Sequence, residues 1–283
     1  MREDLDIPEF GYLPFDHFII ANWDTASPLP QNEQKRILVE KWIALGKYGR
    51  NDYALTTFAD PVIDDIPAGV PQDLLSEDDR ALSSMLSTTL WIRTWFGDPA
   101  NEQSQEAADM AYARLRKQVL QQGLEDYQVS CIPEEFIFED RRELSADAQR
   151  DGGVIAGVAA GRPGSVPGYL VAALMHCPEL FDGMSDDDWR HFTGEERAEE
   201  LTESDRAQNV LVLIADRKAC EEGWVLVSAV NHRGEILPFR VRERAKEAAQ
   251  IAVNWQEGQP LSEMADEEDE DVELYLGEGD GWD

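Results

Sequence analysis

Three mostly apolar runs crowd the stretch from Asn209 to Val241: NVLVLIAD, GWVLVSAV and EILPFRV. Turn-type residues separate them at Glu221-Glu222-Gly223 and at Asn231-His232-Arg233-Gly234. Short β-rich runs divided by such clusters predict an antiparallel meander. Behind it, Val241, Ala245, Ala248, Ala252 and Trp255 step by four and three, a stripe that predicts a helix lying on the sheet.

Upstream the period changes. Ile37, Val39, Trp42, Ile43 and Leu45 predict a helix over 32–47, ended at Gly46 and Gly49. The SEDD start at Ser76 to Asp79 predicts a capped helix, extended through Leu82, Met85, Leu90, Trp91 and Phe96 to Gly97. Asp98-Pro99 reads as the cap of a second helix, which runs to Gly123 and forms an antiparallel pair with the first. The apolar centres of Asp16 to Trp23 and Tyr53 to Phe58 predict strands, as do 127–132 and 135–138. Asp60 to Pro71, with three prolines and three aspartates, predicts a loop. Ser165 and Pro167 introduce a helix stopped by Pro178, and Ser185, Thr193 and Thr202 sit where helix caps are expected.

The pattern places the chain in the α+β class. It predicts a helix-rich mixed part over 1–150 and a Gly/Pro/Ala-rich loop or hinge over 151–168. Helices, the meander and the closing helix follow over 169–257, then a disordered acidic tail over 258–283. No period of 20 to 50 residues repeats.

Charge changes the picture most. Among 283 residues, 58 are acidic and 25 basic, a net charge of -33. A chain with this balance lacks the basic footprint of a protein that neutralises phosphates, so neither direct nucleic-acid binding nor docking on an anionic membrane is expected. From Glu257 to Asp283 there are twelve acidic residues and no basic one, so removing 261–283 is expected to leave the melting temperature nearly unchanged or slightly higher. Asp182 to Asp205 holds ten acidic residues against two basic ones, whereas Asn209 to Gln256 is a basic island of seven against six. No run approaches the ~18 apolar residues of a membrane span. The N-terminal MREDLDIPEF carries no signal-like apolar run, and three widely spaced cysteines fit reduced thiols in a cytoplasmic protein.

Candidate chemistry is sparse. The glycine-rich GGVIAGVAAGRPGSVPG has no Lys after its second glycine, so it lacks the group that reaches a nucleotide phosphate. His17, His176, His191 and His232 form no HxxxH pair, and His176-Cys177 with His191 is too open a set to define a metal site. No metal and no cofactor are expected. Asp216 and Lys218 end a hydrophobic strand as acid-x-lysine, the pairing in which a carboxylate binds a metal and a lysine holds the attacking water. That makes them the catalytic candidates, with Glu222 or Glu235 as the second carboxylate.

The composition therefore favours an acidic, non-enzymatic interaction protein that binds a basic protein, with nucleic-acid mimicry as one form of recognition. The alternatives are a hydrolase-like enzyme with a dispersed site around the meander, and acidity as salt adaptation. The acidic contact candidates are Asp186, Asp187, Asp188, Glu195, Glu196, Glu199 and Glu200. Arg240, Arg242 and Arg244 alternate along one strand, so they would point to one side and form a positive surface near the acidic tail.

Overall fold

The computed structural model describes residues 7–59, 63, 66–71, 74–83, 89–127, 136–142, 164–181, 193–264 and 272–276. The chain is α+β and divides into two compact units. One comprises 1–86, 170–207 and 231–234, the other 87–169, 208–230 and 235–283.

The first unit is helical. Helices α1 (Pro14–Asn22), α2 (Gln31–Ala44) and α3 (Gly46–Ala59) are followed by α4 (Glu77–Ser83). Two segments expected as strands are helices here. In Asp16 to Trp23 the apolar triplet fits either period, but Phe15, Phe18 and Ile19 bury together at helical spacing. In Tyr53 to Phe58 the buried positions Arg50, Ala54 and Thr57 show the same spacing. Phe15, Phe18, Trp42 and Tyr53 form an aromatic core, with Phe18 and Trp42 centroids 5.2 Å apart and Phe15 edge-on to Trp42 at 5.7 Å. Gly46, at φ +70°, ends α2 and opens α3, and a Cβ there would collide with the Asp205 carboxylate. Arg50 donates to the Trp42 and Ile43 carbonyls at 3.4 and 3.1 Å, closing the end of α2. Asp16 accepts the Gly11 N–H at 2.8 Å and both arms of the Arg80 guanidinium at 3.1 and 3.0 Å, so the buried carboxylate is compensated by a bidentate pair and a backbone donor.

The second unit is built on a six-stranded mixed sheet of order β2-β1-β3-β4-β5-β6. Its strands are β1 (Thr89–Arg93), β2 (Ile137–Glu139), β3 (Gln208–Ala215), β4 (Trp224–Asn231), β5 (Ile236–Arg244) and β6 (Val272–Leu276). Both β2 and β3 pair with β1 in parallel, with Trp91 opposite Phe138 and Leu213. β5 is antiparallel to β4 and to β6. The meander strands thus stand side by side as expected, but within a larger mixed sheet.

The long helix expected over 76–96 is only α4 plus a strand. Ser76 and Asp79 do cap α4 reciprocally, at 3.2 and 3.1 Å. Thr89 to Arg93, however, is buried at every position. A short run that is apolar all round suits a strand covered on both faces as well as a buried helix, and sequence period cannot separate the two. Helix α5 (Glu102–Tyr127) starts later and ends later than expected. Asn101 rather than Asp98 accepts the Ser104 N–H, at 3.3 Å, and the helix passes through Gly123. The strand expected at 127–132 lies largely outside the described residues, while 135–138 yields β2.

One face of the sheet carries Trp91, Leu211, Leu213, Val225, Val227 and Val241, packed with Tyr112, Leu115 and Val119 of α5 and with Ala248, Ile251 and Ala252. The last three belong to α9 (Ala248–Gln256), which covers the second half of the expected stripe, Val241 lying in β5 and Ala245 in a 3-10 turn instead. The intervening helices are α6 (Gly168–Leu174), α7 (Gly194–Arg206) and α8 (Arg217–Glu222). The disorder expected from Gly258 does not extend to two short elements, α10 (Leu261–Met264) and β6. Leu261 is buried in the same core. Residues 265–271 and 277–283 lie outside the described set. Among the described residues no helix is long and apolar enough to cross a membrane.

Candidate functional site

The end of β3 holds the catalytic candidates. Asp216 leaves the strand in an extended conformation and caps α8, accepting the Ala219 N–H at 2.9 Å. Its carboxylate also receives the Arg242 guanidinium in two bonds, Nη1 to Oδ1 at 3.1 Å and Nη2 to Oδ2 at 2.5 Å. Arg242 donates further to the Trp224 carbonyl at 3.1 Å. Acid and base are both buried, so Asp216 is committed to holding α8 and β5 together. The Lys218 ammonium stands over the Trp224 ring at 5.9 Å, and Arg244 stacks on that ring at 3.8 Å. Glu222 is exposed at the end of α8, Glu235 is half-buried, and the structure assembles no carboxylate cluster with Asp216 from them. Among the described residues no three His, Cys, Asp or Glu side chains converge as metal ligands would.

The arginine row also differs from expectation. Arg240, Arg242 and Arg244 do alternate, opposite Ser228, Leu226 and Trp224. They do not form a positive surface, because Arg240 is 1% and Arg242 6% exposed. Strand alternation puts them on one face, but both faces of this sheet are covered, a property of the tertiary fold. Burial pushes the Arg240 pKa down to about 9, and the neighbouring Tyr169 hydroxyl acts in the opposite sense. The tail does reach this strand. Glu273 stands in register with Arg242 and Tyr275 with Arg240.

The histidines are dispersed. His17 Nε2 bonds the Gly11 carbonyl at 2.7 Å, and His176 Nδ1 bonds Asp79 Oδ1 at 2.9 Å. Burial raises the Asp79 pKa, but its bonds with His176 and Ser76 outweigh that and hold the carboxyl below its ordinary value. Cys177 Sγ is buried against the Ala173 carbonyl, and His191 lies outside the described residues. His232 sits at the meander turn, where burial, with Arg50 and Lys47 adding, pushes its pKa down to about 3.

The acidic candidates fall into three groups. Asp186, Asp187 and Asp188 lie outside the described residues. Glu200 is half-buried and accepts the Tyr48 hydroxyl at 2.8 Å. Glu195, Glu196 and Glu199 are exposed on α7. Asp205, at the far end of that helix, accepts the Lys47 N–H at 3.2 Å and pairs with Arg233 at 2.6 Å. An open groove of about 790 Å³ runs along α7, lined by Glu195, Glu199, Thr202, Glu203 and Arg206 among others. These positions recur every three or four residues, so they share one face. Glu195, in the first turn, suits the helix dipole, but the steps along the row do not. Like charges at i, i+4 cost about 0.2–0.5 kcal/mol per pair, and Glu195, Glu199 and Glu203 make two such steps.

A further group escaped the sequence reading. Arg93, Arg116 and Arg142 surround Asp109 and Asp140 at the ends of β1 and β2. Assigning 76–96 to one helix hid Arg93, and the partners lie 16 to 33 residues apart. The only local signal was an arginine ending a wholly apolar run. No protein-family model matches the chain, and neither a curated protein nor a solved structure matches it significantly.

Proposed function

We propose that the chain is a non-enzymatic interaction protein whose acidic surface engages a basic protein partner, with the exposed row on α7 as the docking stripe. One observation carries this reading: Glu195, Glu199 and Glu203 line an open groove as a row of exposed carboxylates one turn apart, whose like-charge steps repel each other. A cationic partner relieves that repulsion on binding, so part of the cost stored in the free helix returns as affinity. The carboxylates repeat about every 6 Å along the helix axis. A partner surface built for a polyanion meets in this row a protein substitute for phosphates, which makes nucleic-acid mimicry the favoured form of recognition. The commitment of Asp216 to Arg242 and α8 weighs against the hydrolase-like alternative.

Long-range attraction makes such association fast and salt-sensitive. The test is capture of basic proteins from a native extract at about 0.1 M salt, where charges are still felt over roughly 10 Å. The E195Q/E199Q/E203Q variant and competition by duplex DNA run in parallel. The expected result is a basic protein retained by the parent chain, released by DNA and by high salt, and lost with the triple variant. Retention that survives the triple change would end the proposal, and no retention at all would leave salt adaptation as the explanation of the charge.

A further inference from the structure

The three parallel strands end in charge. β1 closes on Arg93, β2 on Glu139, and β3 is followed directly by Asp216, each less than a tenth exposed. The preceding residues of these three strands are uncharged, so their buried charge lies at the carboxyl edge. Burying charge is costly, and in α/β sheets this edge is where ligands bind.

On the face covered by α5, the charges form a layered constellation. Arg93 stacks on Phe96 at 4.3 Å and Tyr112 at 4.5 Å, and bonds Asp109 at 2.6 Å. Arg142 lies over the same Phe96 at 5.3 Å, with both Asp109 oxygens 3.3 Å from its Nη2. Arg116 lies 3.9 Å over Phe138 and bonds Asp140 at 2.7 Å, which also accepts the Tyr112 hydroxyl at 3.4 Å. Arg141 pairs with Glu139 at 2.5 Å. Among the described residues these pairs bring four guanidinium groups together with three carboxylates, on a chain of net charge -33.

Two features point to a ligand. Arg142 turns its Nη2 to both oxygens of the half-exposed Asp109, whose Oδ1 Arg93 also holds from the buried side, so the outer fork already receives an anionic group. Arg142 and Arg116 are 44% and 38% exposed, yet stacking on rings restricts their forks. Exposed ion pairs contribute at most about 1 kcal/mol each, so stability alone does not account for two preorganised forks beside half-exposed carboxylates. We infer that the carboxyl edge of β1 and β2 is a binding site for a small molecule bearing a phosphate or pyrophosphate group. Arg142 and Arg116 take the phosphoryl oxygens bidentately, while buried Arg93 keeps Asp109 and fixes the inner wall. Asp109 and Asp140 act as resident anions, and Gln105, whose Oε1 accepts from Arg142 Nη1 at 2.5 Å, as a neutral acceptor, that the more highly charged phosphate displaces from Arg142 and Arg116. The global charge makes this site selective, since anions without such a local set of forks are repelled.

The experiment is calorimetric titration of the full chain with inorganic pyrophosphate at about 0.1 M salt. Orthophosphate and adenosine monophosphate are titrated alongside, to separate free phosphate from phosphate carried on a nucleoside. The expected result is saturable one-site binding, weakened about tenfold or more by Arg142→Gln and by Arg116→Gln, with charge-assisted bonds lost. Lys41→Gln, an exposed cation on α2, leaves it unchanged. Asp140→Asn tightens binding several-fold, because a resident competitor is removed, and a purely structural pair would show no such gain. Near-ultraviolet circular dichroism checks the fold, and Arg142→Lys, which keeps the charge and loses the fork, gives the same weakening if the Gln variant does not fold. Absence of saturable heat with all three probes up to about 10 mM, or affinity unchanged in the Arg116 and Arg142 variants, overturns the proposal.

Discussion

Asp216 and Arg242 show how a single side chain changes meaning once its partner is known. An acid at a strand end followed two residues later by lysine suggests catalysis, but Arg242 and the α8 N-terminus use both Asp216 oxygens. Removing one member of a buried, hydrogen-bonded pair strands the other charge, so Asp216→Ala is expected to lower unfolding free energy by about 3–5 kcal/mol. Lys218→Met, whose ammonium stands over the Trp224 ring rather than in a buried bidentate pair, should cost clearly less than Asp216→Ala. Urea denaturation of the two variants checks the contrast. His232 makes a second prediction at this scale. Its folded pKa of about 3 lies below the ordinary 6.5, so below pH 6.5 the unfolded chain binds the extra proton. Stability should therefore fall as pH drops from 6.5 toward 3, and His232→Asn should flatten that slope in urea midpoints measured between pH 7 and pH 5. Cys220 should resist maleimide at pH 8 until the protein unfolds, because burial raises its thiol to about 12. Peptide-level mass spectrometry resolves it from the other cysteines.

Elements were legible where period and caps agreed. β3, β4 and β5 combine β-branched runs with turn residues, and α9 combines an alanine stripe with Trp255, so both were predicted close to their observed places. β1 was not, because TLWIR is buried on both faces and carries no period to read. The C-terminal acid run likewise hid the short alternation of VELYL, whose pairing partner is supplied by β5, about 30 residues earlier in the chain. The structure changes what truncation should do. Leu261 is 2% exposed in the core of the sheet unit, and its N–H reaches Gln208 Oε1 at 3.4 Å. Removing 261–283 should therefore cost at least about 2 kcal/mol, the lower end for a lost core leucine, whereas ending the chain after Met264 keeps that contact. Thermal unfolding of the two truncations separates the contribution of α10 from that of β6.

Across the whole molecule the dominant quantity is the charge of -33. Self-repulsion of that size opposes the compact state, and salt screens it. The melting temperature should rise as salt goes from about 0.01 M to about 0.15 M, where the screening length shrinks from about 30 Å to 8 Å. Calorimetry at four or five salt concentrations reads this directly, and a flat or falling profile would show that local ion pairs such as Asp16 with Arg80 outweigh the repulsion. The same charge separates the two sites proposed. The α7 row follows the global sign, and the Arg93, Arg116 and Arg142 edge runs against it, so salt weakens cation binding at the first and phosphate binding at the second for opposite local reasons.

Sequence alone determined what depends on neighbours in the chain: the acidic balance, the Ser76–Asp79 cap, the meander strands and the closing helix. These are set by backbone preference, hydrophobic period and charge count, all local or additive. Only the tertiary structure decided which charges are free to act. Arg240 and Arg242 could not be known as buried until both faces of the sheet were covered, nor Asp216 as occupied until Arg242 arrived from 26 residues away. Arg93, Arg116 and Arg142 meet because β1, β2 and α5 bring them to one edge. Burial and pairing are properties of contacts between distant segments, and a linear pattern carries no record of them.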